Sequence, residues 1–393
     1  MPRRETVQSS KEDSKKLKMS ESSTFRSQVS VTTDLSLNSR ARAVSGEPCS
    51  SVFFVGAYSS PSQGSRGITE DLCAHLCSSG WNMRIVSQRP SRAGRLFEML
   101  WTSWSERNRY QVAAVDLYSG PAFFWAQAVC WSLRRARKPY VLMLHGGNLP
   151  EFAHRRPGLV RNLLASAAAV TTPSAYLKEL MKPYRQNIEL LPNAIDIGRY
   201  ELKPPSHPAP RLIWLRAFHE VYNPVMAVQV LARLVHEFPD IHLTMVGPDK
   251  GDGTLRRTRQ EAERLGVADC LTISGAVKKE QVPGTLAEGH IFLNTAQIDN
   301  TPVSLLEAMA TGLPVVSTNV GGIPYLVETE REALLVPPCN PEKMADAVRR
   351  IIVEPELSTR LSQNARVKAE QFDWSIILPR WAKLFESVLQ HEN

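Results

Sequence analysis

Short aliphatic runs that end in turn residues alternate with helix-length amphipathic stretches, and the pattern is interrupted once near the midpoint and then resumes. Before the break the runs are SVFFVGAY (51–58), MRIVS (83–87), QVAAVDLYSG (111–120), YVLMLHGG (140–147), AVTTPS (169–174) and IELLPN (188–193). After it come RLIWLRAF, IHLTMVG, CLTISG, IFLNTA and PVVST. Runs this apolar, spaced by helices, read as parallel strands buried on both faces. The break, GRYELKPPSHPAP (198–210), holds four prolines and no apolar period, and reads as a linker. The expectation is an α/β chain of two Rossmann-like domains, 49–197 and 211–370. Their sheets face an interdomain cleft, and a final helical segment, 371–393, follows. In such sheets ligands seat outside the carboxyl ends of the strands.

Composition narrows the function. The 393 residues suit two ordinary domains, with 43% apolar and 22% charged residues. Residues 1–48 are rich in Ser, Lys, Arg and Glu; too little apolar surface offsets their ordering entropy, so they read as a disordered tail. Met19 is a second candidate start. No apolar run suggests a membrane span or a secretory signal, so a cytoplasmic location is expected. The cysteines (49, 73, 77, 130, 270, 339) form no C-x-x-C pair and read as reduced structural thiols. The net charge of +8 suits an anionic partner or merely a solvated basic surface. No nucleic-acid motif accompanies it.

The richest stretch is DNTPVSLLEAMATGLPVVSTNVGG (299–322). Asp299 ends the turn after IFLNTA. Thr301 reads as an N-cap and Pro302 as the first helical residue, leaving the amides of Val303 and Ser304 open to a phosphate. Glu307 can accept two hydrogen bonds from a ribose diol. Gly312 ends the helix, and Gly321–Gly322 let backbone approach a ligand closely. Taken singly, each residue also reads as ordinary helix-terminal charge or turn chemistry.

The whole run resembles the donor-site signature of retaining GT-B glycosyltransferases, family 4: two acids eight apart, then A-M-A-x-G-x-P-V-V, then G-G. Glu307, Ala308, Met309, Ala310, Gly312, Pro314, Val315, Val316, Gly321 and Gly322 match in register. The first acid is Asp299, one methylene shorter than the family's glutamate. The resemblance implies that Asp299 contacts donor-sugar hydroxyls and that Glu307 binds ribose. It adds Asn300, Thr301, Val303 and Ser304 to the donor site. His145, in LHGGN (144–148), is implied to reach the sugar from the first domain; a half-buried core histidine is the bland alternative. Gly64 and Gly67, in SPSQGSRG, stand where the family has a glycine-rich loop near the donor phosphates, although a plain turn explains them as well. LPNAIDIGRY (191–200) resembles the family's P-N-G-I-D junction, with Ala194 for glycine. FDWSIILPRWAKLFESVL (372–389) looks like the last helix, which crosses back to the first domain.

Arg216 matches the family's diphosphate-binding arginine. The lysine expected five or six residues later is missing: Val221 and Tyr222 stand there. A departing diphosphate needs its charge stabilised, each contact mattering by a few kcal/mol. Arg216, the helix start and Tyr222 would have to suffice, or Lys250 to move in. With no D-x-D motif, the chemistry expected is transfer without a metal or other cofactor, the catalytic candidates being His145, Asp299 and Arg216. The donor would be a nucleotide sugar and the acceptor a saccharide or lipid-linked sugar, as in surface polysaccharide or glycolipid synthesis. Aromatic helices at 92–104 and 123–138, the latter with Arg134, Arg135, Arg137 and Lys138, suggest peripheral contact with an anionic membrane, or a core helix with a basic end. A nucleotide-sugar epimerase and a non-catalytic donor-binding protein stay open as alternatives.

Overall fold

The computed structural model describes residues 51–56, 68–86, 92–202 and 210–390. The expected tail, Gly64, Gly67 and most of the proline-rich break lie outside them.

The first half is β1 (Ser51–Val55), α1 (Ile68–Ser78), β2 (Asn82–Val86), α2 (Arg92–Ser105), β3 (Val112–Leu117), α3 (Pro121–Arg135), β4 (Tyr140–Leu144), α4 (Leu149–Arg155), α5 (Pro157–Ala165), β5 (Ala169–Thr172), α6 (Ala175–Met181) and β6 (Glu189–Leu190). All its strand pairings are parallel, in the order β2-β1-β3-β4-β5-β6. The most apolar runs become the central strands: every residue of β3 and β4 is buried, Asp116 included, because helices cover both faces.

The second half is β7 (Arg211–Leu215), α7 (Pro224–Leu234), β8 (His242–Val246), α8 (Thr254–Arg264), β9 (Leu271–Gly275), α9 (Val282–Ala287), β10 (Ile291–Asn294), α10 (Val303–Thr311), β11 (Val315–Thr318), α11 (Ile323–Leu326), β12 (Leu334–Val336), α12 (Pro341–Val353), α13 (Pro355–Glu370) and α14 (Trp374–Gln390). Its sheet is again parallel, ordered β12-β11-β10-β7-β8-β9. Together these make the two Rossmann-like lobes of a GT-B fold.

Each sheet carries an apolar layer on both faces. One layer of the first lobe is completed from the far end of the chain. Trp374, Ile377, Trp381, Leu384 and Phe385 of α14 pack with Val52, Phe54, Leu72 and Leu76. The crossing is pinned by backbone. The Ile195 amide donates to Phe372 O at 2.9 Å, that of Trp374 to Ile195 O at 3.2 Å, and that of Ile197 to the Asp373 carboxylate at 3.0 Å. Residues 195–197, which close and follow the P-N-A-I-D segment, thus serve as the seam between strand β6 and helix α14.

Candidate active site in the interlobe cleft

Strand order reverses between β7 and β10 in the second lobe, and the loops at a reversal diverge and leave a crevice. Arg216 follows β7, and Asp299 lies in the loop after β10. The two form an ion pair, and the Arg216 guanidinium also lies 4.6 Å from the centre of the Tyr222 ring. That ring is set by a relay: Trp214 Nε1 donates to Thr295 Oγ1 at 2.9 Å, and Thr295 Oγ1 donates to Tyr222 O at 2.7 Å. Burial pulls the Arg216 guanidinium down from its ordinary value, while Tyr222 and Glu307 oppose the fall. The residue standing in place of the expected lysine thus backs Arg216 and adds no charge of its own. Lys250 is exposed and donates its backbone amide to Phe218 O.

Helix α10 starts one residue later than its sequence suggests. Pro302 takes the cap position with no side-chain cap bond, and the Thr301 hydroxyl donates across the lobes to Pro173 O at 3.3 Å. The Asn193 amide reaches back to Thr301 O at 3.4 Å. Cross-lobe bonds therefore win over local capping at this threonine. The amides of Val303 and Ser304 still stand at the helix start, where no earlier turn can accept from them. Gly321 and Gly322 also act differently from the expectation. A Cβ at Gly321 would collide with the carbonyl of Asp299, and one at Gly322 with that of Asn300; the Gly322 amide donates to Asp299 O at 2.9 Å. The close approach these glycines permit is to the Asp299–Asn300 backbone, which they seat.

Glu307 is 6% exposed. Its Oε1 accepts from the Tyr200 hydroxyl at 2.9 Å. Burial raises its carboxyl, against the Tyr200 bond and the cations Lys279, Arg216 and Arg199. Burial and then Glu307 also raise the Tyr200 phenol. Lys279 in turn forms an ion pair with Asp71 on α1 of the other lobe. Neither Tyr200 nor Lys279 was legible as a site residue, because each is far from the signature in sequence.

From the first lobe, His145 follows β4. Its Nε2 lies 2.9 Å from Asp116 Oδ1, and its ring stacks on Tyr118 at 5.1 Å. A carboxylate only accepts, so the Nε2 proton is held by Asp116, and the tautomer this fixes has Nδ1 as its acceptor. Asp116 was not singled out by sequence; an Asp closing an otherwise apolar strand was the available signal.

His145, Asp299, Asn300 and Thr301 meet in one interlobe cleft of about 400 Å³, walled also by Gly146, Gly147, Asn193 and Tyr222. Arg216, Val303, Ser304 and Glu307 are not among its walls; Arg216 joins it through its contacts with Asp299 and Tyr222.

Two family models match consecutive stretches: glycosyltransferase family 4 over residues 64–199 and glycosyl transferases group 1 over residues 203–368. The D-inositol 3-phosphate glycosyltransferase of Streptomyces avermitilis is 24% identical over 346 residues, covering 82% of this chain and 71% of the relative. The enzyme of that name from Corynebacterium jeikeium is 28% identical over 170 residues, covering 42% of this chain and only 41% of the relative. The fold is shared with sucrose-phosphate synthase of Thermosynechococcus elongatus, at TM-score 0.73 and 18% identity over 87% of this chain and all of that one. It is shared as well with Anabaena HepE, solved with UDP and glucose, at TM-score 0.68 and 18% identity over 86% of this chain and 100% of that one. The signature in register, the two lobes and both family models converge: this chain belongs to the group 1, family 4 glycosyltransferases of the GT-B fold.

Proposed function

We propose that this glycosyltransferase moves a sugar from a nucleotide-sugar donor to a hydroxyl of a saccharide or lipid-linked acceptor, with retention of anomeric configuration and without a metal ion. The observation that carries the reading is the charge arrangement at the β7/β10 reversal. Arg216 and Asp299 are joined there, beside the open start of α10, with Glu307 one and a half turns along that helix. The diphosphate takes Arg216 and the amides of Val303 and Ser304. The ribose takes the Glu307 oxygen that Tyr200 does not hold. Asp299, released from Arg216 as phosphate replaces it, faces the sugar hydroxyls together with Asn300 and Thr301. His145 Nδ1 accepts from a sugar hydroxyl on the opposite wall.

In the transfer step the acceptor oxygen bonds to the anomeric carbon as the bond from that carbon to the diphosphate oxygen breaks. The electron pair leaves with the diphosphate, whose oxygen on the same face takes the acceptor proton. Cleft closure aligns the partners and excludes water. The Anabaena neighbour solved with UDP and glucose supports a donor of this class.

Incubation with radiolabelled uridine, guanosine and adenosine diphosphate sugars tests the reading. Transfer, or slow hydrolysis of the donor, supports it. Isomerised donor would make the chain an epimerase. Binding without turnover would make it a donor-binding protein, the reading favoured by Val221 and Tyr222 in the place of the lysine.

We also propose that the first lobe rests on anionic lipid. No helix among the described residues is long and apolar enough to cross a membrane. Phe97 and Trp101 on α2 are each 64% exposed, and Trp131 on α3 is 58% exposed. Arg107 lies over Trp104 at 4.8 Å and Arg135 over Trp131 at 5.7 Å. Exposed aromatics interleaved with arginines suit an anionic interface. Flotation with anionic vesicles should carry the chain in low salt and less of it in high salt; no flotation would remove the membrane claim.

A further inference from the structure

The sheet of the first lobe also reverses its strand order, between β1 and β3. Such a reversal is where an open parallel sheet seats ligands, and here it opens into a second cavity, of about 450 Å³, under α2 and α3. Its walls are mostly apolar: Val55, Val115, Met99, Trp125, Ala126 and Val129. Asp116 breaks the pattern. It lines the cavity and is only 7% exposed. Its Oδ1 is taken by His145, while its Oδ2 is buried with no hydrogen-bond partner. The chain keeps room for that oxygen, since a Cβ at Gly56 would collide with it. A buried acceptor atom without a donor is rare in a folded protein, and a convergent polar group in an apolar pocket is what orients a bound small molecule.

We propose that this cavity seats the acceptor, and that the acceptor is an apolar molecule whose hydroxyl donates to Asp116 Oδ2. The inference rests on the transferase reading and deepens it by naming the acceptor class. The apolar walls select the body of the molecule. The carboxylate selects a hydroxyl over a carboxylate or phosphate, which it repels, and Arg95 in the wall disfavours a cation. Tyr118 and Ser119 line both this cavity and the interlobe cleft, so a hydroxyl held at Asp116 stands beside the proposed sugar site. The helices roofing the cavity carry the exposed aromatics on their outer faces, which places it next to the surface proposed to meet lipid.

Titration calorimetry of the full chain with 1-octanol and with octanoate tests this, using nucleotide-free protein. Wild type should bind 1-octanol saturably and octanoate about tenfold more weakly. Ala126→Phe, which fills the cavity, should weaken 1-octanol binding by about tenfold or more and leave the thermal shift caused by UDP unchanged. Ala122→Leu, at a half-buried wall position, answers the same question should Ala126→Phe not fold. Asp116→Asn should bring the two ligands to within about threefold of each other. Trp101→Ser, on the outer face, should leave 1-octanol binding as it is. The proposal is overturned by absence of saturable 1-octanol binding, by wild-type binding in the filled variants, or by an undiminished preference in Asp116→Asn. A chain that binds 1-octanol but shows no shift with any nucleoside diphosphate would sink the donor reading and leave the cavity standing.

Discussion

The two lobes place a carboxylate at the same topological point and treat it in opposite ways. At the β7/β10 reversal, Asp299 is matched by Arg216, and the arginine is backed by the Tyr222 ring. At the β1/β3 reversal, Asp116 shares one oxygen with His145 and leaves the other unpartnered against an apolar cavity. A charge neutralised inside the protein can exchange its partner for an ionic ligand at little net cost, because desolvation has already been met. An unmatched buried oxygen favours a ligand that brings a neutral donor. The difference argues for an anionic, phosphorylated ligand in the second lobe and a hydroxyl on an apolar body in the first.

The largest effect that would sharpen this contrast is loss of nucleotide. Glu307→Ala should abolish the thermal shift caused by a nucleoside diphosphate, while Asp116→Asn keeps it; a Glu307 variant with wild-type nucleotide affinity contradicts the proposed ribose contact. Next comes Asp299→Ala, expected to lower turnover by about 100-fold while nucleotide affinity changes only a few-fold. Steady-state kinetics beside direct nucleotide titration would separate the two, and an equal loss in both would reassign Asp299 to binding. Asp116→Asn should cost turnover less, about tenfold, by disturbing the tautomer of His145. If His145→Ala and the double variant are no slower than Asp116→Asn alone, the two act as one unit; additive losses would separate their roles.

The smallest effect is on stability. Glu307 has its folded carboxyl pushed above the ordinary glutamate range, mainly by burial. The folded state therefore holds this proton more tightly than the unfolded chain does, and stability should rise as pH falls through the folded value toward about 4.5. Against Glu307→Gln, which has no such proton, wild type should gain about 2 °C in Tm over that descent. A difference in Tm that stays constant across the range would remove burial as the dominant influence on Glu307.

Much of the loop and helix at the β7/β10 reversal was legible because its parts are contiguous. Residues 299–322 run through one turn, one helix, one strand and a glycine pair, so periodicity and turn chemistry place Asp299, Asn300 and Thr301 between the end of β10 and the start of α10 without knowledge of the rest. Where the reading needed adjustment, a distant element had intervened. Thr301 gave up its capping role to bond Pro173 O, and Gly321 and Gly322 accommodate the backbone of Asp299 and Asn300. Tyr200 meets Glu307 from 107 positions away. The cavity walled by β1, β3, α2 and α3 left no trace in any one segment, since Gly56, Asp116 and Ala126 carry no shared motif.

The order of the chain alone thus established two parallel α/β lobes and a signature for sugar transfer. Those properties arise from side-chain period, local capping and one contiguous run, all of short range. Tertiary structure decided which charges neutralise one another, which carboxylate oxygen stays without a donor and where an apolar hollow opens. Those depend on distances between strand ends that are remote in the chain, and only the packed sheets bring them within reach of a hydrogen bond.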